Sequence, residues 1–336
     1  MTKTILEVNK LVKTYKPKGL LPRIGNQTNV LPVIDDVSFT LARGEMLGLI
    51  GESGSGKTSI GKSIIKLTNI NDGSINLFGI NISQLSDRQF RKHRHNIQMI
   101  FQDLDAALNP NMSIQQILIE ILQRNKKQPP QKQFETLNQL IKEVNLESDI
   151  LHRYPAELSG GQKRRVAIAA VLALKPKIII ADEPTTGLDS YTQTIIMKLI
   201  ARLQQEHQLS MLLISHDLQL VEQTCHRIIV LYLGNIIEMG TSEQISQTQA
   251  HPYTRMLWNS HLSNREVQQI QNQRHDIRSG LHDFERPKQG CRFAPRCTQY
   301  QQNSQPDVCT TANSKPILRE LSPGHQVACH FPLLSK

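Results

Sequence analysis

The 336-residue chain has no long apolar run. Its longest, Val166 to Leu174, is nine residues and stops at Lys175, far short of the roughly 20 needed to span a bilayer. A membrane-spanning helix is therefore excluded. The opening residues Met1 to Glu7 lack the apolar core of a signal peptide, so a cytoplasmic protein is expected. No internal repeat appears. Cysteine is scarce in the body of the chain, because four of the five lie in the last 46 residues. With 38% hydrophobic and 20% charged residues the chain can bury a sizeable core, and long segments that read as regular apolar strands and helices argue against disorder. Acidic residues are outnumbered, 29 to 39, for a net charge of +10. That excess leaves open nucleic acid, an anionic membrane surface or a phosphate-bearing ligand.

The charge is unevenly spread. Residues 1–249 and 250–336 each carry a net of +5, although the second segment is about a third as long. The tail is also richer in Pro, Cys and His. A boundary is expected near Thr241–Pro252, separating residues 1–249 from an extension over 250–336. The Gln- and Lys-rich stretches Gln123–Gln133 and Gln268–Gln273 are expected to be surface segments or linkers.

Three local patterns carry chemistry. The apolar run Leu47–Gly51 leads into Gly51-Glu-Ser-Gly-Ser-Gly-Lys-Thr58, and Ser59–Leu67 follows with helical spacing. This is G-x-x-x-x-G-K-[ST] between a strand and a helix. Glycines permit tight turns whose N–H groups point inward, at the positive end of the next helix. Lys57 supplies a point charge for phosphates, and the Thr58 hydroxyl suits Mg²⁺. Next, Lys177-Ile-Ile-Ile-Ala-Asp182-Glu183-Pro184 reads as a buried parallel strand with two carboxylates at its C-terminal end, where open α/β sheets place their sites. Alone, such a pair is as often structural; about 125 residues after a phosphate loop it reads as Asp182 for Mg²⁺ and Glu183 for the attacking water. Between them, Leu158-Ser-Gly-Gly-Gln162 precedes the apolar helix Val166–Leu174, with Ser159 as its expected N-cap and the basic run Lys163–Arg165 as a solvated face.

Together these residues resemble the ATP-binding subunits of ABC transporters over about residues 4 to 245. The resemblance implies an α/β P-loop NTPase core with an antiparallel β subdomain and a helical signature subdomain, plus a small Cys-rich C-terminal domain. It implies ATP and Mg²⁺ as ligands. Tyr15 would stack on adenine. Gly51, Ser53, Gly54, Ser55, Gly56, Lys57, Thr58 and Ser59 would hold the phosphates. Gln102 is the Q-loop glutamine, and it joins Thr58 and Asp182 at Mg²⁺. Ser159, Gly160, Gly161 and Gln162 form the signature, which would cover ATP on a facing subunit. Glu183 is the catalytic glutamate, Asp189 the D-loop residue and His216 the switch histidine.

The tail narrows the resemblance. His251-Pro-Tyr-Thr, Cys291-x5-Cys297, Cys309 and Cys329 are similar to the extension of oligopeptide, dipeptide and nickel importer ATPases. There, such cysteines can hold a [4Fe–4S] cluster. Their own spacing matches neither common ferredoxin patterns nor the short pairs of zinc sites. Four thiols in a cytoplasmic protein favour a cluster or zinc over disulfides, with unconnected thiols the remaining reading. Cys225 is expected in the core. Leu104 stands where these importers usually have Pro, and residues 264–288 lack their usual Pro-rich connector.

The expected function is thus ATP hydrolysis driving uptake of di- or oligopeptides. The implied partners are a second ABC ATPase subunit, more often a paralogue, two integral membrane permease subunits and an extracytoplasmic solute-binding protein. The place is the cytoplasmic face of the membrane. A nickel or other small-solute importer is the near alternative. A soluble ABC ATPase acting on nucleic acid or ribosomes is the alternative of another class, but such proteins usually carry two cassettes or a coiled-coil insertion. No nucleic-acid partner is expected.

Overall fold

The structure is a computed structural model that describes residues 3–15, 31–104, 108–125, 130–263, 287, 289–302, 304, 306–311 and 314–333. The stretch Gln268–Gln273 and all of 264–288 except Pro287 lie outside the described residues. The chain forms two compact units that interleave along the sequence.

The first unit takes residues 84–214 with two short pieces, 1–4 and 41–46. Its centre is three parallel strands, β6 (Ile97–Ile100), β7 (Ile178–Asp182) and β8 (Ser210–Ser215). Ile97 lies beside Ile178, and Ile178 beside Ser210. All residues of β7 and β8 are buried, as parallel strands covered on both faces require. The helices are α2 (Asp87–Phe90), α3 (Ile114–Asn125), α4 (Pro130–Glu143), α5 (Gly160–Leu172) and α6 (Ser190–Glu206). The basic run Arg88–His95 reads in the sequence as one helix from Asp87 to His95. Instead α2 stops at Phe90, which is fully buried, and a turn leads into a 3-10 segment at Arg94–Asn96.

The second unit takes residues 5–40, 47–83 and 215–336. One of its sheets has the order β2 (Ile34–Ala42), β1 (Thr4–Lys13), β4 (Asp72–Leu77), β5 (Ile80–Asn81), with β1–β4 and β4–β5 antiparallel. The other runs β3 (Met46–Ile50), β9 (Arg227–Tyr232), β10 (Asn235–Thr241), β12 (His325–Val327), β11 (Arg319–Ser322). Only β3–β9 is parallel within it, and the remaining pairs are antiparallel. The helices here are α1 (Lys57–Ile64), α7 (Leu218–Thr224), α8 (Ser242–Thr248), α9 (Pro252–Ser263) and α10 (Thr298–Gln302). α1 is shorter than the spacing Ser59–Leu67 predicts. Lys66 turns left-handed (φ 54°), and the Leu67 amide donates back to the Lys62 carbonyl, which closes the helix.

Candidate active site

In the second unit β3 delivers the chain straight into the loop Gly51–Thr58. A Cβ on Gly51 would lie 2.2 Å from the Leu231 carbonyl oxygen, and Gly51 has φ 152°, so this turn admits only glycine. Gly56, at φ 107°, leads into α1. Lys57 is buried, and its ammonium donates to the Gly51 carbonyl at 2.7 Å and the Glu52 carbonyl at 3.0 Å. The loop thus curls round its own lysine. Ser55 is wholly buried, and its hydroxyl has no hydrogen-bond partner among the described residues. An unmet hydroxyl inside a loop of this form fits a phosphate-bearing ligand.

Tyr15 stands two residues beyond β1, and 42% of its surface is exposed. Its hydroxyl donates to Ser59 Oγ at 3.2 Å, which holds the open ring beside the start of α1. His216 follows β8 and is exposed.

In the first unit Asp182 ends β7 and Glu183 follows it, 2% and 8% exposed. Glu183 has φ 50°, an uncommon conformation for a residue with a side chain. Thr186 Oγ1 donates to its carboxylate at 3.0 Å, and its own amide donates to the Ile214 carbonyl. Ser159 caps α5, as the sequence predicts, and the Gln162 side chain accepts from the Ser159 amide in return. Gly160 and Gly161 press on the start of α6: added Cβ atoms would meet Leu188 at 3.1 Å and Thr192 at 2.8 Å. Asp189 caps α6 by accepting from the Thr192 amide and hydroxyl. The hydroxyl bond, chiefly, holds its carboxyl below the usual range. The fold therefore brings the segment 159–162 and Asp189 together on one helix junction.

Sequence reasoning missed Arg164. Lys163–Arg165 is not a uniformly solvated face: Arg164 is 4% exposed. Its guanidinium donates to the Phe101 carbonyl at 2.9 Å, and at longer range to the Gln102 and Thr186 carbonyls. It ties the Gln102 loop to the segment that follows Glu183. The signal was available, because residue 164 shares a helical face with the buried Ile168 and Val171. Gln102 itself is exposed, and Leu104, in the place of the usual proline, is buried.

The tail cysteines lie near enough to one another for each charge to be felt by the next. Cys297, Cys309 and Cys329 are buried and Cys291 is half-buried. All four are free thiols. Burial first, then the neighbouring sulfurs, push Cys291 up to about 11 and Cys329 up to about 12. Among the described residues, however, no group of three or more His, Cys, Asp or Glu side chains is arranged to hold a metal ion. The expected iron–sulfur ligand set, and the zinc alternative, are not supported by this arrangement. Cys225 is buried beside Gly48, as expected of a core residue.

The ABC transporter family model matches residues 34–186, and the model for the oligopeptide/dipeptide transporter C-terminal region matches 237–303. A putative peptide import ATP-binding protein of Brucella ovis is 40% identical over 330 residues, spanning 98% of both chains. The chain belongs to the family of peptide-transport ABC ATP-binding proteins. Another member of that family, the oligopeptide transport ATP-binding protein AppF of Bacillus subtilis, is 37% identical across 98% of this chain and 97% of its own. The ATP-binding cassette MJ0796, solved as a dimer with ADP and Pi, superposes with a TM-score of 0.63 at 27% identity, over 71% of this chain and 99% of that one. A second ABC structure, cbiO1 of Clostridium perfringens, gives 0.63 at 25% identity, over 78% and 96%. The fold is that of a P-loop ABC ATPase, and the activity of this family member is ATP hydrolysis. Among the described residues no helix is long and apolar enough to cross a membrane.

Proposed function

We propose that this subunit hydrolyses ATP at the cytoplasmic face of the membrane to power import of di- or oligopeptides. The observation that carries the reading is end-to-end likeness to peptide import ATP-binding proteins, including the transporter-specific C-terminal region. The partners are two membrane permease subunits, an extracytoplasmic binding protein and a second ABC ATPase, taken to be a paralogue.

Each residue has an assigned part. Tyr15 stacks on adenine. Gly51–Ser59 wrap the phosphates, and Lys57 neutralises their charge. Thr58, Gln102 and Asp182 are the residues that would hold Mg²⁺, which supplies charge stabilisation to the transferring phosphoryl group when bound. Glu183 orients the attacking water and draws off its proton. His216 contacts the terminal phosphate. Ser159–Gln162 and Asp189 close over ATP bound to the opposite subunit.

Residues 250–336 are assigned to a transporter-type extension. Its four cysteines are proposed as a thiolate site because four buried or half-buried free thiols lie in this one segment, although the described side chains are not arranged round a metal. Anaerobic purification tests that: absorbance near roughly 400 nm marks a cluster, one bound zinc marks the alternative, and four titratable thiols with neither would remove the assignment.

The function itself is tested by reconstitution with the permease pair and candidate binding proteins. Peptide should stimulate ATP turnover. Stimulation by a nickel complex and not by peptide would move the cargo to the near alternative. Retention on nucleic acid, lost with salt and without any membrane partner, would sink the importer reading.

A further inference from the structure

The phosphate loop contains one acidic side chain, Glu52, and every polar group of that residue is held. Its amide donates to the Tyr253 hydroxyl at 2.9 Å, across 201 residues of sequence. Its carbonyl accepts from the Lys57 ammonium. Its carboxylate accepts a two-pronged bond from Arg296, at 2.8 and 2.9 Å, across 244 residues. Both distant partners come from the C-terminal part of the chain, within the second unit.

Neither partner is a casual surface contact. The Arg296 side chain is 6% exposed, and its guanidinium lies over the rings of Tyr232 and Phe293, 5.9 and 6.0 Å from their centroids. Tyr253 is fully buried and packs on the same two rings, with centroids 4.6 and 5.5 Å away. The rings hold both polar tips in place. Paired with the Glu52 carboxylate, Arg296 stays firmly protonated.

A carboxylate next to bound polyphosphate repels it unless a cation offsets the charge. The Lys57 ammonium also takes its position partly from the Glu52 carbonyl. We propose that Arg296 and Tyr253 are positioning residues for nucleotide: through Glu52 they set the phosphate loop and the Lys57 ammonium, and Arg296 cancels the loop's one negative charge. The C-terminal segment thereby becomes part of the nucleotide site without touching the ligand. This inference rests on the ATP-binding reading above.

The test is binding of a fluorescent ATP analogue to the full-length chain, with thermal melting as the check on folding. Arg296→Met is expected to weaken binding about fivefold or more, within the usual range for coupled sites. Glu52→Gln removes the charge that Arg296 offsets, so Arg296→Met added to Glu52→Gln should cost less than about twofold further. Tyr253→Phe, which deletes only the hydroxyl, should weaken binding at an unchanged melting temperature. Arg296→Lys, lacking the fork, should recover part of the loss. Binding by Arg296→Met equal to the unsubstituted chain overturns the proposal. So does an equal penalty with and without Glu52→Gln, which would mark a merely structural role. If Arg296→Met does not fold, the outcome rests on Tyr253→Phe, whose unchanged affinity also overturns it. Failure of the unsubstituted chain to bind the analogue would instead remove the ATP reading itself.

Discussion

His251 shows how much one buried side chain can govern. It is 1% exposed, and its Nδ1 accepts the Tyr253 amide at 3.0 Å, so the ring is neutral with its proton on Nε2. Burial lowers its pKa to about 4, against a smaller upward pull from Glu238. A histidine held below its unfolded value of about 6.5 takes up its proton more readily in the unfolded chain. Stability from this residue is complete above about pH 6.5 and falls as pH drops toward 4, by about 3 kcal/mol across that window. Urea unfolding at pH 7.5 and 5.0 should show the loss, and His251→Gln should flatten it. At the same scale, Lys57→Ala should abolish binding of a fluorescent ATP analogue. Glu183→Gln should keep that binding and lose roughly 10²–10⁴-fold in turnover in the assembled transporter. Near-normal turnover would unseat Glu183.

At the scale of elements, helix α5 does two jobs. Its first residues present the Ser159–Gln162 segment, and Arg164, one turn on, clasps the backbone after β6 and after β7. Deleting that guanidinium leaves part-buried carbonyls, that of Phe101 first, without their donor, which costs about 1–2 kcal/mol. Arg164→Ala should therefore lower the urea midpoint of the full chain, and Lys163→Ala, on the more open side, should not. Elements also show what a sequence can and cannot disclose. β3, its loop and α1 were legible because strand, glycines and helix are contiguous, and β7 because Ile178–Ile180 is apolar at every position. The short span of α2 was not, because the polar run round Phe90 has no local stop signal to show that the helix ends at this buried ring. Arg164 looked like one of three surface cations, although it alone of the three shares a helical face with Ile168 and Val171 and so turns inward with them. The joining of Glu52 to Tyr253 and Arg296 had no local trace at all, being a matter of side chains more than 200 residues apart.

At the scale of the whole molecule, the chain is a family member matched by two family models, over residues 34–186 and 237–303. Its +10 charge, read alone, suggests nucleic acid as readily as any other anion. The phosphate loop with its buried, unmet Ser55 hydroxyl narrows that to a phosphate-bearing ligand. Co-purification with two integral membrane proteins is the expected outcome of mild extraction from the native membrane, and elution with ribosomes would contradict it.

The last described strands carry a further consequence. The transporter C-terminal model ends at residue 303, yet β12 and β11 continue the sheet beyond β10. β12 brings His325, which bonds the fully buried Glu238 carboxylate at 2.8 Å. Among the strands of the second unit β11 is outermost, and it exposes Arg319 and Glu320. Charged side chains on a border strand discourage another chain from pairing there. Without this hairpin the border would be β10, Asn235–Thr241, largely apolar and with Glu238 stripped of its imidazole. A chain ending at residue 303 should then aggregate edge to edge at concentrations where the full chain stays dispersed, a difference that light scattering would register. With that outcome the final thirty-odd residues would serve as a guard against the protein's own copies.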